Sequence, residues 1–115
     1  MQKPTLIIGS HMSIIGGLEQ AIIRAERIGC TAVQFFSKNN RQWTGKPLTK
    51  EEILLFKKIR ATSKIISTII HASYLINIGS PDKIIAKKSL DALADEYTRA
   101  SLLGVDYVVF HPGSH

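Results

Sequence analysis

Short apolar runs alternate with amphipathic stretches along the whole chain. The apolar runs are rich in β-branched and aromatic residues and predict strands at Leu6–Ile8, Ala32–Phe36, Ile65–Ile70 and Tyr107–Phe110. Between them, apolar residues recur at helical spacing, so the predicted order is βαβαβαβ. Strands that are apolar throughout and joined by helical crossovers are typical of a parallel sheet. The sequence therefore predicts an α/β fold.

Capping residues delimit the first two predicted helices. The first spans about Leu18–Ile28, and Gly29 follows as its C-cap. Thr49 and Glu52 form a capping box that opens the second helix. We expect that helix to turn four residues towards the core: Ile53, Leu55, Phe56 and Ile59.

The third predicted helix begins at a proline. Ser80 is its expected N-cap, Pro81 takes the first helical position, and Asp82 suits the positive end of the helix dipole. Gly104 ends it. Its apolar spacing predicts a buried face made of Ala86, Leu90, Leu93, Tyr97 and Ala100.

Histidines gather at the carboxyl ends of the predicted strands. His71 and His111 follow the third and fourth strands directly, His11 lies just past the first, and His115 lies in the loop after the fourth. In parallel α/β folds these ends open on one face, where active sites are built. Converging neutral imidazoles are typical of a divalent metal site, most naturally zinc. Two imidazoles do not complete such a site, and hydrogen bonding of each histidine at a polar rim is the alternative.

Two loops extend from the same face, after the second and third strands. Arginine binds phosphate bidentately, and aromatic or apolar side chains stack on bases or wedge between them. The alternative is that the tryptophan and leucine pack under their loops and that the lysines only add solubility. The residues concerned are Lys38, Arg41, Gln42, Trp43, Tyr74 and Leu75.

The composition is that of a globular protein with a basic surplus. Hydrophobic residues make up 44% of the chain, and 15 Lys and Arg against 9 Asp and Glu give a net charge of +6. A basic surface favours polyanions such as nucleic acid, although a solvated basic face without a partner is the alternative. No apolar run approaches the roughly 18 residues that span a bilayer, and the N-terminus lacks a signal-peptide pattern. With Cys30 as the single cysteine, these features predict a cytoplasmic location.

Five segments, in order and at their spacing, resemble endonuclease IV, the zinc-dependent apurinic/apyrimidinic endonucleases of base excision repair. They are GSHMS at 9–13, GGL at 16–18, KNNRQW at 38–43, HASYLIN at 71–77 and FHPGSH at 110–115. The resemblance implies a TIM (β/α)8 barrel of which this chain contains roughly the first four strands and three helices. Residues 1–115 would then be the N-terminal half of a single barrel domain.

The resemblance also implies residue roles. His71 and His111 match two ligands of one zinc in a three-zinc cluster, and His11 matches a histidine at the floor of the site. Arg41, Tyr74 and Leu75 match residues that penetrate double-stranded DNA at an abasic site and help to flip the damaged nucleotide out. The resemblance implies a mechanism in which clustered zinc ions would activate a hydroxide to cleave the phosphodiester 5′ of the abasic sugar, leaving a 3′-hydroxyl.

The chain departs from the family pattern in two places. Ala72 stands where some members carry an acidic residue, and the remaining metal ligands have no match in this sequence. A half-barrel also leaves two open sheet edges, which predicts self-association. Two other functions stay open: a metal-dependent sugar isomerase or epimerase, and a non-catalytic fragment with weak DNA affinity. The rim formed by Arg41–Trp43 and Tyr74–Leu75 argues against a small-sugar pocket.

Overall fold

A parallel sheet of four strands, with three helices on one of its faces, forms the part of the chain that the computed structural model describes, residues 6–39 and 41–113. The strands are paired in the order β1-β2-β3-β4, so the predicted βαβαβαβ arrangement and parallel sheet are confirmed. The elements are β1 Gly9–His11, α1 Glu19–Arg27, β2 Ala32–Phe35, α2 Lys50–Ala61, β3 Ser67–His71, α3 Lys83–Leu103 and β4 Tyr107–Val109. None of the described helices is long and apolar enough to cross a membrane.

The strand register divides the side chains between two faces of the sheet. His11 pairs with Gln34, Phe35 with Ile70, and His71 with Val109. Because side chains alternate along a strand, Phe35 and Ile70 share the face that the helices cover, and both are fully buried. The opposite face, here called the open face, carries the polar and aromatic residues His11, Gln34, Phe36 and His71.

The core lies between the sheet and the helices. Each helix contributes a large, fully buried side chain, Ile22 from α1, Phe56 from α2 and Leu103 from α3. The rings of Phe35 and Phe56 pack with their centroids 5.5 Å apart. Three of the four residues expected to turn inward from α2 do so: Phe56 is buried, and Ile53 and Ile59 pack against the core. Leu55 is 42% exposed, so the prediction for Leu55 was wrong.

The first strand lies after the apolar run that was expected to form it. Leu6–Ile8 is exposed and is held by Thr31, whose hydroxyl donates to Leu6 O (2.7 Å) and accepts from Ile8 N (3.0 Å). Pairing with β2 begins at Gly9, where a Cβ atom would overlap the Ala32 carbonyl. The start of β1 is therefore set by the close approach of the Gly9 and Ala32 backbones. The hydrophobicity of Leu6–Ile8 does not set it.

The other strands also differ from prediction at their ends. β2 stops at Phe35, which leaves Phe36 at the start of the following loop. β3 begins at Ser67 and includes His71 as its last residue, whereas β4 ends at Val109, two residues before His111. His111 consequently lies in the loop after β4 and does not follow the strand directly.

Asp106, immediately before β4, ties the last two strands to α2. Its Oδ2 accepts from Thr68 N at 2.9 Å, from Thr68 Oγ1 at 3.1 Å and from Arg60 Nη2 at 2.8 Å. Burial acts to raise the pKa of Asp106, but the Thr68 backbone hydrogen bond and the Arg60 charge outweigh it and hold that pKa below its usual range. The ionised carboxylate thus stabilises the β3–β4 pairing.

Helix capping follows the prediction at α2 and departs from it at α3. The Thr49 and Glu52 capping box is present, with both reciprocal hydrogen bonds formed. At α3 the N-cap is Asp82, whose carboxylate accepts from the backbone of residues 84 and 85, while Ser80 accepts from Asp82 N outside the helix. A carboxylate that can accept two N–H groups at the positive end of the dipole displaces the serine as cap.

The buried face of α3 is not the one its apolar spacing predicts. Leu90 is 54% exposed and Tyr97 52% exposed, and of the predicted face Ala100 alone is fully buried. The buried residues of α3 are instead Ser89, Ala92, Glu96, Arg99, Ala100 and Leu103. Polar contacts with the β2–α2 loop (residues 36–49) orient this helix, as described below.

Candidate functional site

His71 and His111 come together at the carboxyl end of β3 and β4. Their ring centroids lie 5.2 Å apart, with the ring planes inclined at 41°. His71 is half-buried and His111 is exposed, so the pair opens outward from the end of the sheet. The pairing of His71 with Val109 places His111 two residues further along the neighbouring chain segment, where its side chain reaches the same face.

The hydrogen bond made by His71 fixes its tautomer. Its Nδ1 lies 2.7 Å from Ala72 O, and since a carbonyl oxygen only accepts, Nδ1 carries the hydrogen and donates it. In the neutral ring the lone pair is then on Nε2. A backbone carbonyl is one of the usual acceptors for the ring N–H of a histidine whose other nitrogen binds a metal, together with carboxylates and water.

The two imidazoles suit a zinc ion as nitrogen donors, but they are too few to complete a site. Across residues 6–39 and 41–113, no group of three or more His, Cys, Asp or Glu side chains could hold a metal ion. A zinc site needs about three protein ligands and a water molecule. His71 and His111 could therefore supply two nitrogen ligands, fewer than a zinc site needs.

His11 is placed differently from the other two histidines. The Gln34 side-chain amide lies 2.9 Å from His11 Nδ1 and, as a donor, requires that nitrogen to accept. The hydrogen of the neutral ring is then on Nε2, which suits donation to an anion better than metal binding. Burial lowers the pKa of His11, and the nearby His71 lowers it further. Both effects favour the neutral form of His11, whose Nε2–H is then the donor on the open face.

Phe36 connects these histidines, and sequence reasoning missed it. Its ring is in edge contact with His11, His71 and Tyr74, at centroid distances of 4.6, 5.5 and 5.3 Å. The sequence signal is the second phenylalanine of Ala32–Phe36, because in a two-residue period Phe35 and Phe36 must face opposite sides of the sheet. With Phe35 in the core, Phe36 has to lie on the open face.

The loop after β3 presents Tyr74 to solvent. Tyr74 is 68% exposed, and its ring lies edge-on to His71 at 5.8 Å. Leu75 is half-buried and its N–H donates to Ser73 Oγ at 3.2 Å, while Ile76 is buried in a small cluster with Ala72. The structure brings Tyr74 together with the histidines, and it leaves Leu75 partly covered beside them.

The β2–α2 loop carries the other predicted residues. Arg41 and Gln42 are exposed, and within the described part of the chain the Arg41 guanidinium makes no hydrogen bond or ion pair. Trp43 is half-buried against the cluster of Ala72 and Ile76, with Lys88 Nζ 5.9 Å from its ring centroid. This packing corresponds to the alternative stated for Trp43, a tryptophan lying under its loop.

Lys38 differs from the expectation of a rim residue. It is 7% exposed, and its ammonium donates to Asp95 Oδ2 at 2.9 Å and to Trp43 O at 3.2 Å. Its charge is used inside the molecule and is not available to a ligand. The last predicted rim residue, His115, lies outside the described residues.

Comparison of the sequence with known proteins identifies the family of this chain. A family model described as a xylose isomerase-like TIM barrel matches residues 22–115. The probable endonuclease 4 of Chloroflexus aggregans is 44% identical over 107 residues, which are 93% of this chain and 37% of that protein. The probable endonuclease 4 of Campylobacter concisus is 48% identical over 110 residues, 94% of this chain and 39% of that protein.

A solved structure agrees with the sequence comparisons. The crystal structure of endonuclease IV from Thermus thermophilus matches with a TM-score of 0.85 and 40% sequence identity, covering 93% of this chain and 41% of that one. The chain thus spans about two fifths of the length of the relatives it matches. The fold predicted from the motifs and the resemblance to endonuclease IV are confirmed, and the chain belongs to the family of xylose isomerase-like TIM barrels.

Proposed function

We propose that this chain contributes part of the active site of a zinc-dependent apurinic/apyrimidinic endonuclease. The reaction is cleavage of the phosphodiester 5′ of an abasic site in double-stranded DNA, leaving a 3′-hydroxyl. One observation carries the proposal: the adjacent rings of His71 and His111 lie at the strand ends beside the exposed Tyr74. Relatives named probable endonuclease 4 support it.

His71 and His111 are the zinc ligands of this proposal. The Ala72 carbonyl, by accepting from His71 Nδ1, keeps the lone pair of Nε2 available. When bound, zinc supplies Lewis-acid polarisation of the phosphate and lowers the pKa of water. His11, with its hydrogen on Nε2, is suited to donate to a phosphate oxygen from the floor of the site.

Arg41, Tyr74 and Leu75 are the residues proposed to contact DNA at the lesion. The exposed Arg41 guanidinium has the planar fork that binds phosphate. Tyr74 offers an aromatic ring, and Leu75 a partly covered apolar side chain, for the space that a missing base leaves in the stack. The net charge of +6 favours approach to the duplex.

The proposal concerns a whole site of which this chain holds one part. Residues 1–115 belong, in this view, to a single barrel domain, and the further carboxylate and histidine ligands come from barrel strands that these residues do not include. The open face and the outer edges of β1 and β4 are where such strands would pack.

A sugar isomerase or epimerase is the second candidate, because the matching family is described by its likeness to xylose isomerase. Those reactions need a closed pocket for a small polar substrate. Arg41 and Tyr74 instead project from separate loops into solvent, which suits a large anionic surface. A fragment that binds DNA weakly and does not catalyse is the third candidate.

The test is incision and binding of a duplex oligonucleotide with one abasic site, in the presence of zinc. We expect the chain to bind this duplex more tightly than an undamaged one and to lose that preference on Arg41→Ala. Arg27→Ala, which removes an exposed arginine from the last turn of α1, is the matched control. Cleavage 5′ of the lesion that disappears with His111→Ala would show that the chain completes a working site, for example by pairing of two copies.

Other outcomes decide between the candidates. Equal affinity for the two duplexes, with no effect of Arg41→Ala, would contradict the DNA proposal. Zinc-dependent interconversion of an aldose and a ketose by the chain would select the isomerase. Lesion preference without incision, unchanged by His111→Ala, would show that these residues bind the lesion but do not catalyse on their own.

A further inference from the structure

A cluster of polar and charged residues, all but Asp95 buried, joins α3 to the β2–α2 loop. We call it the α3 clamp, and it consists of Ser37, Lys38, Asp95, Glu96 and Arg99. Glu96 is 1% exposed and Arg99 6% exposed. Buried charges are costly unless they are paired, so their presence on the inner face of a helix calls for a reason beyond packing.

Arg99 binds both ends of the loop. Its Nη2 donates to Ser37 O at 2.7 Å and its Nε to Ser37 Oγ at 3.0 Å, at the start of the loop. Its Nη1 donates to Lys46 O at 2.8 Å, close to the start of α2. One guanidinium therefore closes the loop segment 37–46, whose exposed tip carries Arg41.

The remaining members complete the attachment. Ser37 Oγ donates to Glu96 Oε1 at 3.1 Å, and Lys38 bridges Asp95 on α3 to the Trp43 carbonyl in the middle of the loop. The two cations balance the two carboxylates. Burial raises the pKa of Glu96, although Lys38, Ser37 and Arg99 each act to lower it.

The clamp also explains the orientation of α3. Glu96 and Arg99, three residues apart, share a helix face, and that face is buried. Leu90 and Tyr97 do not lie on this face and are 54% and 52% exposed. Replacing buried ion pairs by apolar side chains is often neutral or stabilising in proteins, so these charges are weak evidence for stability, and their directional hydrogen bonds to the loop are the feature to explain.

We propose that Arg99 and Glu96 are positioning residues, which hold the β2–α2 loop so that Arg41 meets DNA at the lesion. This inference rests on the function proposed above. Neither residue lies at the DNA-facing surface, so both act through the loop. The geometry they supply is a fixed separation of Ser37 and Lys46, the two ends of the segment that carries Arg41.

Trp43 provides a direct readout, because it is the one tryptophan of the chain and lies in the loop itself. We expect Arg99→Met to increase acrylamide quenching of Trp43 and to shift its emission to the red, with the far-ultraviolet circular dichroism unchanged. Lys87→Met, which removes an exposed positive charge from the same helix, is the matched control and should leave the fluorescence as it is. Unchanged fluorescence in folded Arg99→Met would overturn the proposal.

The link to Arg41 is tested by a double-mutant cycle on duplex DNA with one abasic site. We expect Arg99→Met to weaken binding roughly fivefold or more, and this loss to vanish when Arg41 is already alanine. If the affinity loss of the double variant equals the product of the two single-variant losses, Arg99 does not act through Arg41. If the unaltered chain shows no lesion preference, the proposed function fails, and the Trp43 measurement alone still decides whether the clamp holds the loop.

Two milder variants cover the case in which Arg99→Met fails to fold. Arg99→Lys keeps the charge beside Glu96 but cannot donate in one plane to both Ser37 O and Lys46 O, so it should not restore the wild-type fluorescence. Ser37→Ala removes two side-chain hydrogen bonds and should cause a smaller change in the same direction. Wild-type fluorescence and DNA affinity in both variants would refute the positioning role.

Discussion

Asp106 offers the sharpest test of how the fold holds the two histidines together. The perturbation is Asp106→Asn, which keeps the shape of the side chain and removes its charge. In the folded chain one carboxylate oxygen accepts two hydrogen bonds from Thr68 and one from Arg60. These contacts lie beside the β3–β4 pairing that brings His71 next to His111.

The loss of stability expected for Asp106→Asn follows from the hydrogen-bond partners of Asp106 and from their exposure to solvent. Hydrogen bonds to charged groups contribute about 1.5–3 kcal/mol each when they are protected from solvent. The Asp106 and Arg60 side chains are 38% and 20% exposed, so solvent screens this cluster and the full sum does not apply. We expect Asp106→Asn to lower the free energy of unfolding by about 1–2 kcal/mol at neutral pH.

The pH dependence has a definite sign. The folded-state pKa of Asp106 lies below its ordinary value, so the stabilisation is present above the unfolded pKa of about 3.9 and is lost as the pH falls through the lower folded value. The asparagine variant does not titrate at this position. The difference in unfolding free energy between the two proteins should therefore shrink as the pH is lowered from 7 to about 3.

Urea unfolding followed by circular dichroism at several pH values measures this difference. Asp91→Asn is the matched control, because Asp91 pairs with Lys87 on the exposed surface of α3 and should contribute little. A stability difference for Asp106→Asn that stays constant from pH 7 to 3 would refute the reasoning, since it would show that the carboxylate charge is not what the contacts stabilise.

Two further predictions concern the core and the open edges. Phe56→Ala should lower the free energy of unfolding by about 3–5 kcal/mol, because Phe56 is fully buried against Phe35, while Leu54→Ala on the exposed side of α2 should cost little in urea unfolding. A loss below about 1 kcal/mol for Phe56→Ala would contradict the described core. The chain should also self-associate through the outer edges of β1 and β4, which sedimentation velocity would detect. Val109→Lys, on β4, should shift the equilibrium towards the monomer. A monomer at every concentration would contradict this prediction.

The elements of the fold were predictable because local signals and tertiary packing agree for most of them. The Thr49 and Glu52 capping box needs only four consecutive residues to identify, and it begins α2 as expected. β1 was misplaced because its start depends on a contact between Gly9 and Ala32, residues far apart in sequence. An apolar run such as Leu6–Ile8 cannot report a contact of that kind.

The candidate site was predictable in part for the same reason. Strand ends in a parallel sheet meet at one edge, so His71 and His111 could be placed together from their positions alone. The burial of Lys38 could not be foreseen, since it requires Asp95 on a helix 57 residues further along the chain. The clamp residues of α3 look like surface charges in the sequence, and only packing against the loop distinguishes them from charges that remain in solvent.

The burial of Lys38 and the buried face of α3 were both missed for one physical reason, and that reason bears on the site. Hydrophobic periodicity predicts which face of a helix is buried when burial of apolar area is the dominant favourable term. In α3 the buried face carries the paired charges of Glu96 and Arg99 beside small and apolar residues, and Leu90 and Tyr97 are exposed, so the apolar spacing alone does not identify that face. If Arg41 contacts DNA as proposed, its loop needs attachments that fix direction as well as position, and the hydrogen bonds of Arg99 to Ser37 and Lys46 supply direction where apolar contacts do not.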